Sequence, residues 1–111
     1  MIPRIEQKLE LDKSQMENQG QACLNIAEVQ AYNLDGTNVA LASNGATAAQ
    51  SSTYGSSESS WGASKAINGN TGDITHTNKG YSAWLEVTLQ NPTILERVEI
   101  INRSGYTTEA S

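Results

Sequence analysis

The chain has 111 residues, with 12 acidic against 7 basic side chains, a formal charge of −5 and a pI near 4.7. This length allows one domain at most. The charge balance leaves no clustered Lys and Arg of the kind that phosphate backbones require, so nucleic acid is not an expected partner. No stretch approaches the roughly 18 apolar residues of a membrane span, so membrane insertion is not expected, and Met1-Ile2-Pro3-Arg4-Ile5-Glu6-Gln7 has no apolar run resembling a secretion signal. Leu, Ile and Val supply only 20 residues and Phe none, whereas Ser, Thr, Asn and Gly supply 41. The core is therefore expected to be thin. The polar, turn-forming composition suits many short strands rather than a helical bundle, and the fold class expected is all-β.

Residues 1–20 hold seven of the nineteen charged side chains. Within them Ile2, Ile5, Leu9 and Met16 lie near helical spacing, yet Ile5, Leu9 and Leu11 also alternate with Glu6, Lys8, Glu10 and Asp12 as in a strand. Residues 1–22 thus read as a charged segment whose structure the pattern leaves open, and 23–111 as the domain body. Cys23, the single cysteine, excludes an internal disulfide and paired-cysteine zinc patterns; a small buried or edge thiol is its expected role. Leu24 to Tyr32 is β-branched and nearly alternating, and the Asp35-Gly36 turn follows it. Asn38 to Ala42 is a candidate short strand, Asn44 to Ser60 is small and polar, and Thr47 to Thr53 can hold one further strand. Leu85, Val87 and Leu89 alternate with Trp84, Glu86 and Thr88, the clearest strand pattern in the chain. Asn91-Pro92 is expected to break it, with Ile94 to Ile101 forming a separate strand.

Enzyme signatures are missing: no phosphate-cradling glycine loop, Cys/His cluster or His-Glu-x-x-His pattern occurs. A nucleophile and base pair would have to pass through His76 or Cys23, and neither has supporting neighbours. A binding role is expected instead.

The segments Ser51-Ser52-Thr53-Tyr54, Trp61-Gly62-Ala63-Ser64-Lys65-Ala66-Ile67-Asn68-Gly69-Asn70, Thr75-His76-Thr77, Trp84-Leu85-Glu86-Val87 and Asn102-Arg103 occur in that order. Together they resemble the F-type lectins, the fucose-binding branch of the discoidin-like (galactose-binding-like) domains. The resemblance covers residues 38–103, and its most specific element is the 26-residue interval between His76 and Arg103. It implies a discoidin-like jelly-roll β-sandwich, incomplete at its C-terminus, that binds fucose-like glycans through His76 and Arg103 and lies outside the cell or at its surface. The family pattern also asks for an acid and a second basic residue where this chain has Gly105 and Ala110. Tyr106 and Thr107 stand where many members carry neighbouring cysteines. That leaves a divergent member with altered sugar preference, or a chain ending before a shifted basic residue. Such a truncated sheet would be marginally stable or aggregation-prone.

The residue chemistry agrees with the half of the motif that is present. Arg103 offers five N–H groups in a rigid fork and His76 one donor and one acceptor, while Tyr54 and Trp61 can meet the apolar face of a sugar. The plain alternatives are a solvated His76 and an Arg103 paired with Glu99 or Glu96. The resemblance further implies calcium in the Asn68-Gly69-Asn70 loop. Its ligands would be the Lys65 and Asn70 carbonyls, the Asn68 side chain and Asp73, an oxygen set suited to that ion; a simple Asn-Gly turn is the alternative. In the family a Glu from a closing strand completes the site within an Ala-Glu-Val pattern. Here Ala27-Glu28-Val29 precedes the domain body. Either this strand closed a preceding domain of a tandem array, or it is reused in the same place, in which case Glu28 approaches Asn68 and Asp73. The rival functions are a discoidin-type adhesion module for protein or another glycan, and a nonfunctional fragment of a multidomain protein.

Overall fold

The computed structural model describes residues 4–12, 23–78 and 83–102. Its strands are β1 (Arg4–Asp12), β2 (Ile26–Asn33), β3 (Thr47–Gln50) and β4 (Trp84–Asn102), with one helical turn, α1 (Glu58–Trp61). Three 3-10 turns, Ala42–Asn44, Tyr54–Ser56 and Ala63–Ile67, fill the connections. The protein is all-β, as its composition implies.

The sheet is antiparallel and β4 is its spine. β1 pairs along the first half of β4, from Asp12 opposite Trp84 to Arg4 opposite Leu95. On the other edge β3 pairs with Leu85 to Thr88 and β2 with Leu95 to Asn102. Residues 4–12 therefore adopt the strand alternative that the pattern of the first segment left open.

Two strand expectations differ from the structure. Asn91-Pro92 does not divide β4 into two strands; the strand is continuous from Trp84 to Asn102. Lys8 faces Thr88 and Glu6 faces Thr93, so Leu89 to Pro92 swell into an irregularity opposite the single residue Gln7. A proline has no N–H to give a ladder, and it is tolerated at such a bulge. The expected strand at Asn38 to Ala42 is reduced to one bridge between Asn38 and Tyr32. There the Asn38 Oδ1 accepts the N–H groups of Ala31 and Ala40, each at 3.0 Å, and the side chain replaces a partner strand.

Ile26, Val29, Leu85, Val87, Leu89 and Leu95 form the buried centre with Leu24 and Ile67. Ala31, Ala40, Ala46, Ala63, Ala66 and Ala83 complete it, which is the thin core that the scarcity of large aliphatics implies. Both β2 and β3 pack on the Ala63–Ile67 turn. That turn delivers the chain into the Asn68 loop, and so couples the core to the region of interest.

Candidate functional site

The Thr75-His76-Thr77 segment is fastened to the start of β2 by a repeated device. The Thr75 N–H donates to the Ile26 carbonyl at 2.9 Å, and the Ile26 N–H donates back to the Thr75 hydroxyl oxygen at 3.0 Å. Thr77 repeats the exchange with Leu24, at 3.2 Å and 2.9 Å. Both threonines are fully buried, so their hydroxyls act as acceptors for strand N–H groups that would otherwise be orphaned.

His76 lies between them and belongs to a different set of contacts. Its N–H donates to the Trp61 carbonyl at 3.1 Å, and its own carbonyl accepts the Tyr54 N–H at 2.8 Å. The rings follow: Tyr54 lies 4.4 Å from the His76 ring at a 33° tilt, and Trp61 meets it edge-on at 5.3 Å. Tyr54 and Trp61 are themselves 6.3 Å apart in a T-shaped arrangement. Tyr54 is half-exposed and His76 and Trp61 partly so. The two wall candidates, Tyr54 and Trp61, and the hydrogen-bonding candidate His76 thus form one accessible cluster. His76 Nδ1 is 2.8 Å from the Thr77 carbonyl, which can only accept, so Nδ1 carries the proton and Nε2 of the neutral ring is an acceptor.

Gln50 and Glu58, which belong to none of the quoted segments, support this cluster together with Thr53. Gln50, at the end of β3, donates through Nε2 to the Trp61 carbonyl and to the Thr53 hydroxyl, both at 3.0 Å, and among the described residues its buried Oε1 has no hydrogen-bond partner. Thr53 in turn donates to Glu58 at 2.6 Å. No spacing rule joins residues 50, 53, 58 and 61; only the fold does.

The second feature is the loop that follows Ala63–Ile67. Asn68 Oδ1 accepts the Asn70 N–H at 2.8 Å, and Asn70 Oδ1 accepts the Gly72 N–H at 2.9 Å. The Asp73 carboxylate accepts from the side-chain amides of Asn68, at 2.9 Å, and Asn70, at 3.4 Å. Gly69 has φ +81°, a conformation that suits glycine and strains other residues. Glu28 closes the loop from β2: its Oε2 accepts the Gly69 N–H at 2.8 Å.

Glu28 is fully buried, and among the described residues its Oε1 has no hydrogen-bond partner. Burial pushes its carboxyl above the usual carboxylate range; the Gly69 N–H opposes that rise and the Asp73 charge adds to it. A buried carboxylate with a bare oxygen and a second carboxylate nearby fits a hard cation chemically. Lys65 lies in the turn leading into the loop, and Asn68, Asn70 and Asp73 carry the loop's side-chain oxygens. Among the described residues no group of three His, Cys, Asp or Glu side chains gathers anywhere, so such a cation would rely on amide and carbonyl oxygens.

The structure therefore brings Glu28, Asn68, Asn70 and Asp73 together, and separately Tyr54, Trp61 and His76. Arg103, with Gly105, Tyr106, Thr107 and Ala110, lies outside the described residues. Its neighbour Asn102 ends β4 opposite Ile26, the residue bound to Thr75. No protein-family model, curated protein or solved structure matches the chain.

Proposed function

We propose that the chain is a carbohydrate-binding module of the discoidin-like jelly-roll type, with calcium-assisted recognition of fucose-like sugars. The observation that carries this reading is the Tyr54–His76–Trp61 cluster. Its rings offer a partly exposed aromatic wall for the apolar face of a sugar, beside an imidazole whose Nε2 accepts a hydroxyl proton. The choice of fucose rests on the likeness of residues 38–103 to F-type lectins, and Arg103 is proposed as the donor fork that complements the His76 acceptor. Extracellular or cell-surface placement rests on the same likeness.

Calcium would supply charge neutralisation for Glu28 and Asp73. Glu28, Asp73, Asn68 and the carbonyls of Lys65 and Asn70 are the residues proposed to hold it. The protein's own contribution is to fix the start of the loop through the Ala63–Ile67 turn and its end through Thr75, so that whatever stiffens Asn68 to Asp73 also stiffens the backbone of His76, three residues on.

Titration of the protein with L-fucose, followed by the indole N–H and histidine resonances, tests the reading. Shifts confined to Trp61, His76 and their neighbours support it. Shifts only at residues remote from the cluster, or none at millimolar sugar, favour the adhesion-module alternative.

A further inference from the structure

β1 forms one edge of the sheet: among the described residues it pairs with β4 alone. Ile5, on this strand, is 67% exposed, and its partner across the ladder, Ile94, is 44% exposed. An edge strand with an open apolar pair invites another strand. The sequence of β1 shows which one. Read from either end, Arg4-Ile5-Glu6-Gln7-Lys8-Leu9-Glu10 meets its own complement, basic against acidic and aliphatic against aliphatic, about a polar centre.

We propose that β1 pairs antiparallel with β1 of a second copy of this chain, about a two-fold axis at Gln7. In that register Gln7 faces Gln7 of the second copy, Glu6 faces Lys8, Lys8 faces Glu6, and Ile5 and Leu9 face each other twice. Such a contact is isologous, as two-fold interfaces are: residue i meets j and j meets i. Sliding the strands by two residues destroys the match in either direction. One slide sets Lys8 against Lys8 and Glu6 against Glu10; the other sets Glu6 against Glu6 and Lys8 against Arg4. Like charges directly opposite are destabilising, so the pattern specifies one register instead of merely blunting the edge.

The existing contacts of Lys8 and Leu9 are compatible with the pairing. Lys8 already reaches Glu86 across the ladder at 3.7 Å and stays largely exposed, so it can serve two carboxylates at once. Leu9 packs against the core while Ile5 does not, so each copy would cover the other's open isoleucine with a side chain already anchored.

Cross-linking of the full chain in a Cys23→Ser background tests the register. A residue on the two-fold axis sits within disulfide reach of its own copy, since Cα atoms of directly opposed residues lie roughly 4.5–5.5 Å apart. Gln7→Cys is expected to give a disulfide-linked dimer under mild oxidation, and Glu10→Cys, three residues off the axis, is not. Sedimentation of uncross-linked protein supplies the second arm. The unaltered chain is expected to dimerise, Lys8→Glu to raise the dimer dissociation constant at least tenfold, and Glu6→Lys with Lys8→Glu to restore it. A monomer at every concentration overturns the proposal and leaves this edge to another partner. Equal cross-linking at residues 7 and 10, or a dimer indifferent to both charge changes, overturns it as well.

Discussion

Glu28 Oε2 accepts the backbone N–H of Gly69 at 2.8 Å, which ties the middle of β2 to a loop 41 residues further along the chain. The other oxygen of the same carboxylate is buried and, among the described residues, has no hydrogen-bond partner. One carboxylate oxygen is thus satisfied by an N–H, and the other is left to a proton or a cation.

Glu28→Gln keeps an oxygen for the Gly69 N–H and removes the charge. In the presence of a chelator the variant is expected to be at least as stable as the unaltered chain, to within about 1 kcal/mol, because the desolvated carboxylate is gone. Added calcium is expected to raise the melting temperature of the unaltered chain and to leave that of Glu28→Gln unmoved. Calorimetric melting of both proteins with and without calcium checks it.

The pH dependence in chelator follows from the raised Glu28 pKa. A carboxyl that binds its proton more tightly folded than unfolded gives the folded state the larger number of protons between the ordinary value of 4.5 and the raised one. Stability therefore falls as pH rises through that window, and the penalty persists above it. The gap in melting temperature between Glu28→Gln and the unaltered chain should be widest above the raised value and should close on acidification towards 4.5. A gap that widens on acidification would contradict the burial argument.

Thr75→Val and Thr77→Val remove the acceptors for the N–H groups of Ile26 and Leu24 while keeping the side-chain shape. Each is expected to cost about 1–3 kcal/mol, the penalty of leaving a buried donor unsatisfied. Thr75→Ser, which restores the hydroxyl, should recover most of the loss in denaturant titrations.

Gly69→Ala combines a strained positive φ with a new Cβ 3.4 Å from Leu41 Cδ2, an ordinary contact. The conformation and not the space is therefore the obstacle, and a loss of about 1–2 kcal/mol is expected. Because the Gly69 N–H is the group held by Glu28, hydrogen exchange at residue 69 should accelerate along with the loss of stability.

The strands were legible where the alternation was strong. Leu85, Val87 and Leu89 are buried as their spacing implies, and Leu24 to Tyr32 supplies β2 almost as written. The break expected at Asn91-Pro92 failed for a reason invisible in local sequence: β1, eighty residues earlier, presents one residue opposite four and absorbs the proline. The same distance hides the site supports. Gln50 reaches Trp61 only because β3 runs beside β4, and no pattern in residues 44–60 announces it. Glu28 was legible only through a motif found out of its usual order, and its approach to the Asn68 loop depends on where β2 lies beside the Ala63–Ile67 turn.

The central claim is that the Tyr54–His76–Trp61 cluster grips a saccharide and that the Glu28-tied loop sustains that grip. Calorimetric titration of L-fucose into the unaltered chain, Tyr54→Ala and His76→Ala, each in calcium and again in chelator, tests it most directly. The expected result is saturable binding by the unaltered chain in calcium, at least tenfold weaker binding in chelator, and at least a tenfold loss in either variant, with little change in melting temperature for Tyr54→Ala, since Tyr54 is half-exposed. Heats of binding that are equal for all three proteins, or that do not respond to the chelator, would contradict it.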